Sequence, residues 1–308
     1  MNLSTLKWDC DILDILAVDE KQLPKIISSG EYIGQLKTDA AEELGLSKKL
    51  KVYNGAHDQY CSCLGANITK RGEIMLSTGT AWVLMPVFEK PLFTRSYISP
   101  APHIVSGLWG AIASLPYSGA ALDWFMNRFT TDDYDTLNKN AKDRTYKIKN
   151  TYFYPYFSGA AFPLWQPNAK AAFLGFGLEH DKYDAALAIM EAVAFQMRMA
   201  MEEFVNSSLK ITTMKILGGA LKSTLWTSII TNNIDCEVYA MTETDTACVG
   251  AAAIAGVGVG IFENYNSATQ LMNKPIRLNF SEFILTDFYK EKYERYKNVW
   301  KQVSKLYI

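Results

Sequence analysis

Residues 213–260 alternate strand-like and helix-like segments, and that alternation narrows the architecture more than anything else in the chain. TMKIL (213–217) is a short apolar run of strand type. Gly218-Gly219-Ala220 follows as a tight loop, and Ser223 stands where a cap would open a helix near Thr224. CEVYA (236–240) is a second strand. Residues 244–260 form a helix of Ala, Gly and Val, whose small side chains permit a very close approach to a neighbour. A strand–helix–strand–helix order argues for an α/β fold.

The rest of the chain supplies more elements of both kinds. A helix is predicted over 8–28, with Pro24 inside it or opening a second short one. A strand is predicted over 50–54, a small-residue helix over 58–67, and a hairpin over 71–87 that turns on Ser-Thr-Gly-Thr. Residues 95–114 read as further strand, 118–129 as an amphipathic helix and 150–177 as loop punctuated by prolines. The clearest long helix is 181–208, where Leu187, Met190, Ala194, Met197 and Met201 fall on one stripe. An amphipathic tail helix is predicted over 285–305. With 308 residues, the chain has room for one large domain or two modest ones, and 49% hydrophobic residues suffice for a substantial core.

Charge and cysteine usage exclude several classes. The formal net charge is −1 and no basic run appears, so neither nucleic acid nor a membrane surface is an expected partner. The first residues, MNLSTLKWDCDILDIL, lack the pattern of a signal peptide, and no apolar run reaches spanning length, so a cytoplasmic location is expected. The five cysteines are odd in number, and Cys61 and Cys63 lack zinc-knuckle spacing. They read as small buried thiols, and no protein-built metal site is expected.

Three glycine-centred loops carry the chemistry: GAHDQ (55–59), STGT (77–80) and GGALKS (218–223), each following a strand. Loops of Gly, Ser and Thr present backbone N–H groups that can line an anion such as a phosphate. No Walker pattern and no G-x-G-x-x-G after a strand is present. On the residues alone, Asp58 in the first loop could cap the helix it precedes or serve as a general base.

The order of segments resembles the C-terminal half of the FGGY family of carbohydrate kinases. Six blocks carry the resemblance, in order: ILDILAVDEKQLPKIISSGEYIGQL (12–36), NGAHDQYCSCLGA (54–66), GEIMLSTGTAWVLM (72–85), FLGFGLEHDKYDAALAIMEAVAFQMR (173–198), LGGALKSTLWTSIITNNIDCEVYA (217–240) and ETDTACVGAAAIAGVGVG (243–260). The resemblance implies an actin-like ATPase fold of ribonuclease H-like domains. It implies ATP with Mg²⁺ as cofactors and a small sugar or polyol as acceptor. Asp58 would be the general base, with His57 and Gln59 as substrate contacts. Thr78, Gly79 and Thr80 would meet the β- and γ-phosphates. Gly218, Gly219 and Ala220 would approach the ribose and α-phosphate, with Ser223 nearby, and the small-residue helix would pack beside the nucleotide. Trp226 reads as core, and Glu191 and Arg198 as parts of a structural network. SGAAFPLWQPNAKAAF (158–173) departs from the family pattern at Ala160-Ala161 and Lys170-Ala171, which weakens any assignment to xylulokinase in particular.

In that family the catalytic Asp lies near the middle of a longer chain, and the first phosphate loop, D-x-G-T/S, is not found here. The expectation is therefore a remnant of the N-terminal domain over 1–68, carrying the Asp loop, and a C-terminal, nucleotide-binding domain over 69–308. Such a chain would be slow or inactive alone. It would pair with an N-terminal kinase fragment or form a homodimer. A non-catalytic nucleotide-binding or interaction domain derived from such a kinase is the alternative.

Overall fold

The computed structural model describes residues 1–94, 98–145, 150–243, 245–279 and 283–307. The chain opens with α1 (Cys10–Leu16), β1 (Tyr32–Gln35), α2 (Thr38–Leu44), β2 (Lys51–Tyr53) and α3 (Asp58–Gly65). Strands β3 (Glu73–Thr78), β4 (Trp82–Phe88), β5 (Pro100–Pro102), β6 (Trp109–Ala111) and β7 (Ala113–Leu115) follow, then α4 (Ser118–Phe129) and α5 (Tyr134–Lys142). A short hairpin, β8 (Tyr152–Tyr154) with β9 (Ala172–Leu174), precedes the long α6 (Lys182–Asn206). The last part runs β10 (Thr213–Gly218), α7 (Thr224–Thr231), β11 (Glu237–Met241), α8 (Thr246–Gly258), α9 (Tyr265–Met272), β12 (Pro275–Arg277) and α10 (Phe283–Val303).

The main sheet has the order β12-β11-β10-β3-β4-β6-β5, with β7 also paired to β4. β10 lies parallel to both β3 and β11, while β3 and β4 form an antiparallel hairpin. The middle strands are almost continuously buried, as strands covered on both faces must be. Their alternating side chains feed two cores. Ile74, Leu76, Leu84, Met214 and Ile216 join α4, α6, α7 and α10 on one face. Met75, Met85, Val87 and Leu217 join α3, α8 and α9 on the other.

Two helices meet almost backbone to backbone. A Cβ added at Gly65 in α3 would lie 1.9 Å from the Thr246 carbonyl oxygen, and one at Gly250 in α8 would lie 1.9 Å from that of Cys61. The small side chains of α8 therefore seat α3.

Other departures have local causes. The helix expected over 8–28 ends at Leu16, because Ala17 turns left-handed (φ 52°) and its N–H bonds back to the helix. A single 3₁₀ turn follows, and Leu23 is extended, as the residue before a proline prefers. The strand expected over 95–114 is three short strands interrupted by a turn at Gly107 (φ 80°), with 95–97 outside the described residues. Of the five cysteines only Cys61 and Cys63 are buried; Cys236 is partly exposed, and Cys10 and Cys248 are exposed.

Candidate active site

The loop after β2 delivers His57 and Asp58 to the start of α3. His57, not Asp58, occupies the cap position, and Asp58 is the first helical residue. Asp58 Oδ1 lies 2.6 Å from the Gln59 N–H and 2.9 Å from His57 Nδ1, while Nδ1 is 3.2 Å from that same N–H. One Nδ1 cannot both accept from Gln59 and donate to Asp58. Nδ1 accepts from the Gln59 N–H, which Asp58 Oδ1 shares as a second acceptor. Among the described residues Oδ2 has no hydrogen-bond partner, and the side chain is 73% exposed. Asp58 thus has one oxygen held and one presented.

The second and third loops are one structure. Thr78 is buried at the end of β3, and its hydroxyl donates to the Leu217 carbonyl (2.7 Å) while accepting from the Ala220 N–H (3.1 Å). Gly218 has φ 97°, and a Cβ there would meet the Thr78 carbonyl oxygen at 2.7 Å, so the position demands glycine twice over. On the other side, Gly119 in α4 leaves no room for a Cβ, which would lie 2.2 Å from the Gly79 carbonyl oxygen, and the Ala120 N–H donates to Thr80.

These loops face a cavity of about 440 Å³ that includes Thr78, Gly79, Thr80, Gly219, Ala220 and Ser223 in its walls. Gly218 stands just behind it. Three of these residues spend polar groups on building the cradle: the Thr78 hydroxyl, the Ala220 N–H, and the Ser223 hydroxyl, which accepts from the Trp226 N–H and donates to Asn138 Oδ1 (2.6 Å). Thr80 has no hydrogen-bond partner for its hydroxyl among the described residues. Among the described residues Lys222 supplies the only cation in the lining. Trp226 is buried and its indole N–H donates to the Met190 carbonyl, yet its ring also reaches the cavity wall beside Trp82. Glu191 and Arg198 lie away from the cavity, Glu191 in a buried pair with Lys292 and Arg198 over the Tyr293 ring.

His57 borders a second cavity, of about 590 Å³, with Tyr60, Ser99, Ser114, Phe162 and Trp165. Asp58 and Gln59 line neither cavity; Gln59 Oε1 is buried with no hydrogen-bond partner among the described residues. The two cavities flank one stretch of chain: Ser114 and Pro116 belong to the second, Gly119 to the first. Sequence reasoning missed Lys222, Trp82 and the α4–α5 wall of Asp123, Tyr134, Asp135 and Asn138. The signal was Asp133, which caps α5 through a bond to the Thr136 N–H. Among the described residues no three His, Cys, Asp or Glu side chains gather as a metal site, and no helix is long and apolar enough to cross a membrane.

The model of the FGGY family of carbohydrate kinases, C-terminal domain, matches residues 74–259, and that of the N-terminal domain matches residues 1–65. The chain belongs to the FGGY family. Gluconokinase of Bacillus subtilis is 23% identical over 291 residues, which are 90% of this chain and 56% of that protein. The ligand-bound crystal structure of xylulose kinase from Lactobacillus acidophilus superposes with a TM-score of 0.92 at 23% identity, over 99% of this chain and 62% of that one. Plasmodium falciparum glycerol kinase with ADP gives 0.86 at 19% identity, over the whole of this chain and 61% of that one. The fold is therefore the expected actin-like ATPase fold. The chain spans 56–62% of the length of these FGGY relatives. Because both FGGY domain models match within it, the expectation of an inactive fragment completed by another chain gains no support from the comparisons.

Proposed function

We infer that the chain is an ATP-dependent sugar or polyol kinase that transfers the γ-phosphoryl group to an acceptor hydroxyl. The observation that carries the reading is the joined pair of glycine loops walling one cavity. In this reading residues 1–68 carry the base loop as N-terminal-domain chain, and 69–308 form the nucleotide-binding domain. A cradle in which Gly218 and Gly119 admit no Cβ, together with the Lys222 cation, fits a polyphosphate.

Mg²⁺ would enter with the nucleotide on phosphate oxygens and its own waters, and would neutralise charge there. Gly79, Thr80 and Gly219 hold the phosphates, while Thr78, Ala220 and Ser223 fix the loops that bear them. Asp58 Oδ2 accepts the proton of the attacking hydroxyl, with Oδ1 kept in place by the Gln59 amide. The rest of the catalysis is positioning and charge stabilisation. The cavity beside His57 is where the acceptor would lie. The relatives named gluconokinase, xylulose kinase and glycerol kinase set the range of acceptors: sugar acid, ketose or polyol.

The test is a phosphotransfer assay with Mg·ATP across those three acceptor classes, with ATP binding measured in parallel. Asp58→Asn should bind ATP as wild type does and lose about 10²–10⁴-fold in kcat. Equal turnover in both proteins would remove Asp58 from the chemistry. ATP binding without transfer to any acceptor would leave a nucleotide-binding module instead.

A further inference from the structure

A further cavity, of about 570 Å³, shares no residue with the two already described. Three elements wall it. α6 brings Arg198, Met201 and Val205, whose spacing of three and four puts them on one helix face. α10 brings Thr286 and Lys290, and the turn after α7 brings Asn233, Ile234 and Asp235.

Asn233 says what the cavity lacks. Its side chain is buried, at 3% exposed. Its Nδ2 donates to the Ile229 carbonyl (2.8 Å), which fixes the amide's orientation. Oδ1 has no hydrogen-bond partner among the described residues. A buried amide oxygen left unpaired is unfavourable, so what fills the space beside it must be a donor. Asp235 stands two residues on in the same wall and is exposed. A cationic donor is attracted to that carboxylate as a neutral one is not.

The other two walls carry the opposite sign. The Arg198 guanidinium lies over the Tyr293 ring, 4.2 Å from its centroid. Its Nε is 3.6 Å from Glu202, and its terminal nitrogens have no hydrogen-bond partner among the described residues. Glu202 is divided among several partners: it also receives the Tyr293 hydroxyl (2.6 Å) and lies 3.6 Å from Lys297 Nζ. Lys290 is exposed and forms no ion pair among the described residues. A guanidinium fork and an ammonium together fit a carboxylate. Met201, Val205, Ile211 and Ile234 supply the apolar part of the lining.

We propose that this cavity binds an α-amino acid with an apolar side chain. Its carboxylate meets Arg198 and Lys290, its ammonium meets Asn233 Oδ1 beside Asp235, and its side chain lies against the apolar lining. The site is separate from the cavities assigned to phosphoryl transfer, so it stands independently of the kinase reading.

The test is calorimetric titration of the full chain with L-leucine, with leucinol, which lacks the carboxylate, and with 4-methylpentanoate, which lacks the ammonium. L-leucine should bind saturably, and each analogue at least about tenfold more weakly, the loss expected when one hydrogen-bonded charge is removed. Lys290→Gln should narrow the gap between L-leucine and leucinol. Asp235→Asn should narrow the gap between L-leucine and 4-methylpentanoate. Both side chains are exposed, so both variants should keep the wild-type circular dichroism. Asn233→Leu, close in volume and without an acceptor, should weaken L-leucine more than 4-methylpentanoate. No saturable binding of L-leucine to wild type up to about 10 mM would overturn the proposal. So would gaps that survive unchanged in Lys290→Gln and Asp235→Asn, because the ligand would then sit elsewhere.

Discussion

A single hydroxyl decides how the phosphate cradle is built. Thr78 satisfies a carbonyl and an amide of the neighbouring loop, both buried. Thr78→Val keeps the shape and orphans both groups, at a cost of about 1–3 kcal/mol for each group left unpaired. Urea unfolding should show a loss in that range, ATP should bind more weakly, and Thr78→Ser should recover most of both. Unchanged affinity in Thr78→Val would mean that the loops hold their positions without the hydroxyl. The glycines of this cradle were legible in the sequence because Gly218 combines positive φ with close approach, and few other residues fit such a site. Asp123, Tyr134 and Asn138 were not. Tyr134 and Asn138 sit in TTDDYDTLNKNAKD (130–143), where only Leu137 and Ala141 are buried, so no apolar stripe announces α5. The cavity wall they form is a tertiary fact.

At the scale of elements, the placement of the base depends on α3 lying flush against α8. Gly250→Ala would drive a methyl group into the Cys61 carbonyl, and the helices must separate to admit it. Overpacking of this kind costs about 1–3 kcal/mol, and the upper end applies because the obstacle is backbone. The midpoint of denaturation should fall accordingly, and turnover should fall further than ATP binding, since α3 carries Asp58. An unchanged midpoint would show slack between the helices. The small-residue helix was plain in the sequence, but its partner was not: close packing says that something lies near, not what. The short N-terminal elements β1 and α2 were missed for a simpler reason. They are largely exposed, and exposed segments carry little periodicity.

For the whole molecule, the C-terminal helix is riveted to the centre by an ion pair. Lys292 in α10 meets Glu191 in α6 at 2.5 Å, both side chains 2% exposed. Burial holds the Glu191 carboxyl above its ordinary value even beside that cation. Lys292→Met would leave the carboxylate buried and unneutralised, a loss of about 3–5 kcal/mol at neutral pH. A carboxyl raised in the folded state binds its proton more tightly there than in the unfolded chain. The deficit should therefore be greatest above that raised value and shrink as pH falls toward the ordinary carboxylate range. A deficit that grew on acidification would refute the burial argument. The blocks around Glu191 were readable in the sequence, but the partner on α10, 101 residues away, was not.

The laced loops have a kinetic corollary. Parting them would strand a carbonyl and an amide where water has little access, so they travel as one body, and they do so before any nucleotide arrives. A receptor already in its final shape has no ordering step to await. Mixing the chain with ATP should give a single phase whose rate rises linearly with concentration, with no plateau to betray a slow rearrangement.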